Sequence, residues 1–367
     1  MDKERFFHLF FTDVDFFAHF VKDHLIQDGV DLSLSVTDRC TTGCLHCLTN
    51  ACLAGKSMPL EVFRKLDFRY FQRGRIGLFC VGDPLDYRYK NADLRDLIIL
   101  LRELGISVFD FLTSGVSPKT KKRLALLKRL EQLQTRGISI NPDLSFHLYW
   151  PVSDDKILQT AKERLMMSVD ILSSFTSDIT VQLRGDLDSV NRNIGQTLNI
   201  YLQTLEEMGF TEAPCEHCLN PCGNTTICRV KDSIILRASL QMTQQLGRWD
   251  RILSEELVAT FSPAQQEMFQ SAWKISPVDV EKMLKQGICR NIDANRPSLF
   301  VFTNGDLDVA YSVPVLAQPC KIANIFENSY DEVIDLWISH LWEHFYRSHQ
   351  DSVQDFVNGK PAILFEQ

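Results

Sequence analysis

Leu32-Ser-Leu-Ser-Val-Thr-Asp-Arg-Cys-Thr-Thr-Gly-Cys-Leu-His-Cys47 decides how this chain is read. Its first five residues alternate apolar and polar, the period of a strand with one buried face. The stretch ends in C-x3-C-x2-C, formed by Cys40, Cys44 and Cys47. Positions i, i+4 and i+7 would share a helix face. Thr41, Thr42 and Gly43 make a poor helix interior, however, so the cysteines belong to a loop leaving a strand. Three thiolates this close suit three corners of a cubic iron–sulfur cluster and leave one iron open for a ligand. Two alternatives stand beside this reading. Free cysteines pack as small hydrophobes, and thiolates with His46 also suit zinc. Cys52 falls outside the tight grouping and reads as structural.

The 367 residues suggest two domains or one large one. The net charge is −8, and no long Lys/Arg run offers a track for phosphates, which argues against a nucleic-acid enzyme. The basic stretch 119–128 reads as the solvated face of a helix. No apolar run is long enough to span a bilayer. The eleven cysteines cluster in metal-ligand spacings and are not spread as a disulfide framework, so a reducing cytoplasm is expected.

From residue 31 strands alternate with amphipathic helices. Strands are expected at 32–36, 76–81, 107–112, 144–149 and 179–183, with a sixth near 234–236. Helices are expected at 60–72, 92–104, 119–135, 155–174 and 190–208. Repeated βα units imply a parallel sheet, and their spacing suits a barrel or partial barrel. The fold expected is α/β, a partial (β/α)6 barrel with a smaller α+β C-terminal domain. Its parts are a phenylalanine-rich amphipathic helix (1–30) packed on the body, a core (31–240) and the C-terminal domain (241–367). Residues 211–230 read as a turn-rich loop, with helices expected beyond it near 233–247, 250–259 and 278–287. The run 298–311 reads as a hairpin around an Asn304-Gly305 two-residue turn. An aromatic-rich helix spans about 330–348.

The strand ends carry further signals. The second candidate strand leads into Leu78-Phe-Cys-Val-Gly-Asp-Pro-Leu85, the third ends in Thr113-Ser-Gly115, the fourth contains Ser145, and Arg184 comes directly after the fifth. With the cysteine triad, these resemble the radical SAM superfamily over residues 31–240. The family places C-x3-C-x-φ-C after its first strand, with φ usually aromatic and here His46. A Gly-Gly-Glu-Pro-like motif ends the second strand. Here Val81 replaces the first glycine and Asp83 the glutamate.

The resemblance implies that Cys40, Cys44 and Cys47 ligate a [4Fe-4S] cluster. S-adenosyl-L-methionine would take the open iron and contact Gly82, Asp83, Pro84, Thr113, Ser114, Ser145 and Arg184. It also implies a low-potential donor of flavodoxin or ferredoxin type. The reaction expected is hydrogen-atom abstraction from a peptide or small natural-product precursor. Cys80 reads either as a hydrogen-atom donor or as a buried strand residue. His147, on the face of Ser145, reads either as a substrate contact or as a core histidine.

The C-terminal third resembles a degenerate SPASM/twitch domain. Fifteen residues separate Cys289 from Gly305, but Ala310 occupies the place where the next cysteine belongs. Cys215, Cys218, Cys222 and Cys228 form C-x2-C-x3-C-x5-C, with Cys289, Cys320 and His217 as possible substitutes. That group suits a second [4Fe-4S] cluster, a zinc ion, or no metal. Two rivals to the hydrogen-abstracting enzyme are an alkyl or methyl transferase on the same fold and a non-enzymatic iron–sulfur or zinc protein on a decayed barrel.

Overall fold

A computed structural model describes residues 5, 8–9, 12–19, 22, 31–42, 51–65, 75–78, 81–147, 155–175, 178–185, 194–213, 226–242, 298–308 and 321–342. The chain runs β1 (Asp31–Leu34), β2 (Arg75–Leu78), a small hairpin of β3 (Arg88–Tyr89) and β4 (Ala92–Asp93), α1 (Leu94–Glu103), β5 (Val108–Thr113) and α2 (Lys121–Gln134). It continues with β6 (Ser139–His147), α3 (Asp155–Leu172), β7 (Asp178–Gly185), α4 (Ile194–Glu207), β8 (Thr211–Glu212), β9 (Thr226–Lys231) and β10 (Ile234–Met242). Beyond the next gap lie β11 (Ser298–Val301), β12 (Asp306–Asp308), β13 (Ala323–Asn324) and α5 (Tyr330–Leu341).

One eleven-stranded sheet takes the order β13-β12-β11-β1-β2-β5-β6-β7-β10-β9-β8. From β11 to β10 every neighbouring pair is parallel, and antiparallel pairs finish both ends. Among the described residues no pairing joins β13 to β8. From β1 to β10 the parallel strands keep chain order, without the reversal of a doubly wound sheet. Right-handed crossovers all running one way put their helices on one face. Alternation makes that face apolar. Leu32, Ile76, Phe109, Ile140, Val181 and Leu236 are buried in one core with Leu97, Leu130, Val169 and Leu205 of α1 to α4. Each such side chain contributes about 1.5–3 kcal/mol on burial.

Local chemistry sets the helix ends. Asp93 and Asp96 form a capping box on α1, which stops before Gly105 at φ 100°. Ser329 and Glu332 do the same for α5, whose Trp337 is fully buried. Residues 14–19 are helical, and Phe17 is buried in the main core.

Three local expectations change. Where a helix is expected over 233–247, Ile234–Met242 form the strand β10, and the short strand near 234–236 extends to Met242 along β7, from Ile235↔Asp178 to Met242↔Gly185; residues 243–247 lie outside the described residues. Leu236 and Ala238 alternate onto the apolar face, so tertiary pairing outweighs local preference. The hairpin loop is Thr303-Asn304-Gly305, closed by Phe302 N–H donating to Asp306 O (2.8 Å). Gly305 takes φ 85°, as a three-residue loop requires. Thr303 is drawn out of a two-residue turn because its hydroxyl reaches Ser35 O (3.0 Å) and Asp38. Part of the loop expected at 211–230 is strand β9. Residues 250–259 and 278–287 lie outside the described residues. Strands from both sides of position 240 share the sheet, since β11 pairs with β1.

Candidate active site

The loop after β1 is stapled before its second cysteine. Cys40 N–H donates to Cys52 O (3.1 Å), and Cys52 N–H donates to Asp38 O (3.3 Å). Thr37 bridges to Ser57 through backbone and hydroxyl. Cys40 is half-buried and Cys52 exposed. Cys44, Cys47 and His46 lie outside the described residues.

The turn after β2 presses against this loop. A Cβ on Gly82 would stand 2.5 Å from Thr37 O and 2.4 Å from Arg39 O, so only glycine fits. Asp83 N–H donates to Arg39 O (3.0 Å). The Asp83 carboxylate caps the short 3-10 turn Pro84–Asp86 by accepting from Leu85 N–H (3.1 Å). It also accepts from Thr113 Oγ1 (3.0 Å to each oxygen) and from Ser114 N–H (2.9 Å) and Oγ (2.8 Å) at the end of β5. Thr42 Oγ1 touches Ser114 Oγ, and Arg164 of α3 donates to Thr42 Oγ1 (3.4 Å). The loop that carries Cys40, the Gly82–Pro84 turn and Thr113–Ser114 therefore meet at one rim, the C-terminal ends of parallel strands, where α/β sheets build their sites.

Arg123 belongs to the stretch expected on the solvated face of its helix, yet it is only 3% exposed. Its guanidinium lies 3.0 Å from Asp83 Oδ2 and donates to Asp86 through Nε (3.1 Å) and a terminal nitrogen. It also donates to Ser114 Oγ (2.9 Å) and Gly115 O (3.1 Å). A signal existed in the sequence: Arg123 shares the buried stripe of α2 with Leu126, Leu127, Leu130 and Leu133. Burial would push the Asp86 carboxyl up. The hydrogen bonds and charge of Arg123 and the donors of Thr41 outweigh it and hold the group below the usual range.

The other face of the sheet mixes polar residues with Val108, Leu112 and the buried Phe300, and its polar members line up in rows. Register places Ser33, Gly77, Asp110 and Asn141 in one row and Ser145, Gln182 and Ser239 in another. The backbone positions of His147 and Arg184 pair in a third. A packed barrel interior carries layers of branched apolar side chains, and these rows suit a polar ligand instead. Arg75 pairs with Asp110 (2.5 Å), to which Asn141 also donates (2.9 Å). Asp143 lies on the same face, two residues before the buried Ser145. Burial first, and the charge of Asp110 second, push the Asp143 carboxyl up to about 6.

The unfolded chain ionises Asp143 near 3.8, before the folded chain does. Stability therefore falls as pH rises from about 3.8 to about 6. Asp143→Asn is expected to raise stability at pH 8 by on the order of 2 kcal/mol and to change little at pH 3.5. Urea denaturation at the two pH values checks this. An equal shift at both would remove the titration of Asp143 as its cause.

Fit to an iron–sulfur cluster with S-adenosyl-L-methionine rests on two observations. Cys40 stands half-buried at the rim, and Arg39 Nε beside it is buried with no hydrogen-bond partner among the described residues, a donor left for an acceptor. Against these, the Asp83 carboxylate is 4% exposed and its acceptor positions are filled from within the protein.

The remaining candidates divide by location. Gly82, Asp83, Pro84, Thr113, Ser114 and Ser145 are described, and His147 and Arg184 are described in backbone only. Cys228 is buried on β9, where its residue faces Arg237. Cys80, Cys215, Cys218, Cys222, Cys289, Cys320, His217 and Ala310 lie outside the described residues. Among those described, no three His, Cys, Asp or Glu residues gather as a metal site, and no helix is long and apolar enough to cross a membrane. Asp86, Arg123, Asp143 and Arg164 are site residues that the sequence did not single out.

No protein-family model matches the chain, and no curated protein matches its sequence. Among solved structures it is similar to Streptococcus suis SuiB bound to precursor peptide SuiA, with 13% identity and a TM-score of 0.40. That alignment covers 87% of this chain and 66% of that chain.

Proposed function

We propose that the chain is a radical SAM enzyme acting on a peptide or a small natural-product precursor, its parallel strands curving into a partial barrel around the face that carries the polar rows. The observation that carries this reading is the meeting of the Cys40 loop, Gly82–Pro84 and Thr113–Ser114 at one rim. Cys40, Cys44 and Cys47 would hold a [4Fe-4S] cluster, with S-adenosyl-L-methionine beside Gly82, Pro84, Thr113, Ser114, Ser145 and Arg184. Given an electron from a flavodoxin- or ferredoxin-type donor, these groups when bound would supply the chemistry for hydrogen-atom abstraction from substrate. The chain's own residues orient and enclose. Asp83 aligns the hydroxyls of Thr113 and Ser114, Gly82 lets the turn approach the cysteine loop, and the polar rows around Asp143 and Ser145 bind the substrate's polar groups. Residues 241–367 would add the SPASM/twitch-like part, and Cys215, Cys218, Cys222 and Cys228 ahead of it, with Cys289 and Cys320 within it, would be available to a second cluster or zinc.

The filled Asp83 carboxylate favours a second reading, a cluster-binding protein without this chemistry. Anaerobic loading with iron and sulfide, then dithionite and S-adenosyl-L-methionine, separates the two. The enzyme reading expects 5′-deoxyadenosine from wild type and background levels, at least about 100-fold lower, from Cys44→Ala. S-adenosylhomocysteine or methylthioadenosine as the product would indicate a transferase. No cleavage by wild type would leave the second reading.

A further inference from the structure

We propose that Arg123 is a positioning residue that ties the cysteine loop to the strand-end residues on which a bound ligand would rest. This deepens the proposed function and rests on its reading of Cys40, Cys44 and Cys47.

One guanidinium joins three chain segments. On one side Asp86 Oδ2 accepts from Thr41 N–H (2.7 Å) and Thr41 Oγ1 (3.0 Å), one residue beyond Cys40. Arg123 grips the same carboxylate through two nitrogens. On the other side it donates to Ser114 Oγ and Gly115 O and faces Asp83 at 3.0 Å. Thr41 is thereby fixed relative to Ser114 through a single planar fork. Lysine could not reproduce this, because its ammonium is a point charge without the paired geometry.

The location of the cation argues for the same role. Arg123 occupies a position on the buried stripe of α2 that leucine fills one turn later at Leu126 and Leu127. Apolar replacements of buried ionic groups are often neutral or stabilising. Packing alone therefore does not call for arginine here, whereas fixing a loop that carries metal ligands does. Held this way, the Cys40 backbone needs little reordering when a ligand binds, which lowers the entropic cost of binding.

The test uses full-length Arg123→Lys and Asp86→Asn proteins. Hydrogen exchange is monitored at Thr41, with β5 and β6 as internal controls for an intact fold. Iron per chain is measured after anaerobic loading and desalting. The S-adenosyl-L-methionine concentration that half-saturates the change in the cluster's EPR signal is measured on loaded protein. In Arg123→Lys, Thr41 is expected to exchange about tenfold faster and half-saturation to need about tenfold more ligand. Asp86→Asn should show smaller changes in the same directions. Because it removes a buried charge, it also carries the test if Arg123→Lys does not fold.

Unchanged Thr41 exchange in both variants overturns the proposal. A lowered melting temperature with unchanged half-saturation also overturns it, leaving a purely structural role. If wild type loads no iron, the cluster reading fails, and faster Thr41 exchange in the variants still supports the tie. If wild type loads iron but Thr41 exchange is unmoved, the tie fails and the cluster reading stands.

Discussion

Arg123→Met is expected to destabilise the protein by about 3–5 kcal/mol, measured as a lowered urea midpoint at pH 7. The side chain is buried, and its removal strands Asp83 and Asp86, themselves 4% and 9% exposed. Each carboxylate keeps its hydroxyl and amide donors but loses its only close cation among the described residues. The cost is that of uncompensated buried charge, so it should shrink when the charges go too. The triple variant Asp83→Asn, Asp86→Asn, Arg123→Met is expected to recover most of the loss. Arg129→Met is the control. Arg129 also pairs with an aspartate, Asp93, but its side chain is 47% exposed, and the change should cost about 1 kcal/mol or less. Equal losses at Arg123 and Arg129 would refute the buried network as a source of stability.

That network marks where the sequence stops being legible. The strands β1 and β7 show their alternation plainly, because one face is apolar and the other polar, whereas β6 begins at Ser139, five residues before the strand expected at 144–149. Cysteine spacing and the Gly82-Asp83-Pro84 turn are local signals, so the rim could be assembled from strand order alone. Arg123 was hidden by its neighbours. Within Lys119 to Arg129 most charges are solvent-facing, and composition masked the one that stands on the leucine stripe. β10 was hidden differently. Its residues alternate, but what makes them a strand is the long ladder against β7, a contact remote in sequence. The role of Asp83 is likewise set by contacts remote in sequence. An acidic residue in that turn reads equally well as a ligand contact or as an internal acceptor, and only the donors from Thr113, Ser114 and Arg123 decide how it is used here.

Gly82→Ala is expected to cost about 3 kcal/mol and, if the proposed cluster forms, to remove most of the iron the loaded protein holds. The added methyl would meet Arg39 O at 2.4 Å, Thr37 O at 2.5 Å and Arg39 N at 2.8 Å. All three are backbone atoms, so no side chain can swing aside. Either the turn after β2 retreats, breaking the Asp83 N–H bond to Arg39 O, or the loop carrying Cys40 moves away from the rim. Loss of conformational freedom cannot produce this effect, and Gly137→Ala shows why. Gly137 sits at φ 73° with nothing within 4 Å of an added Cβ, so its cost is backbone strain alone, about 1–2 kcal/mol. It lies at the far end of α2, before β6 begins, and should leave iron content at the wild-type level. Urea denaturation and iron per chain on both variants give the comparison. If Gly82→Ala retained full iron, the close approach of the two loops would have no part in holding the metal, and the rim would be a packing feature of the sheet.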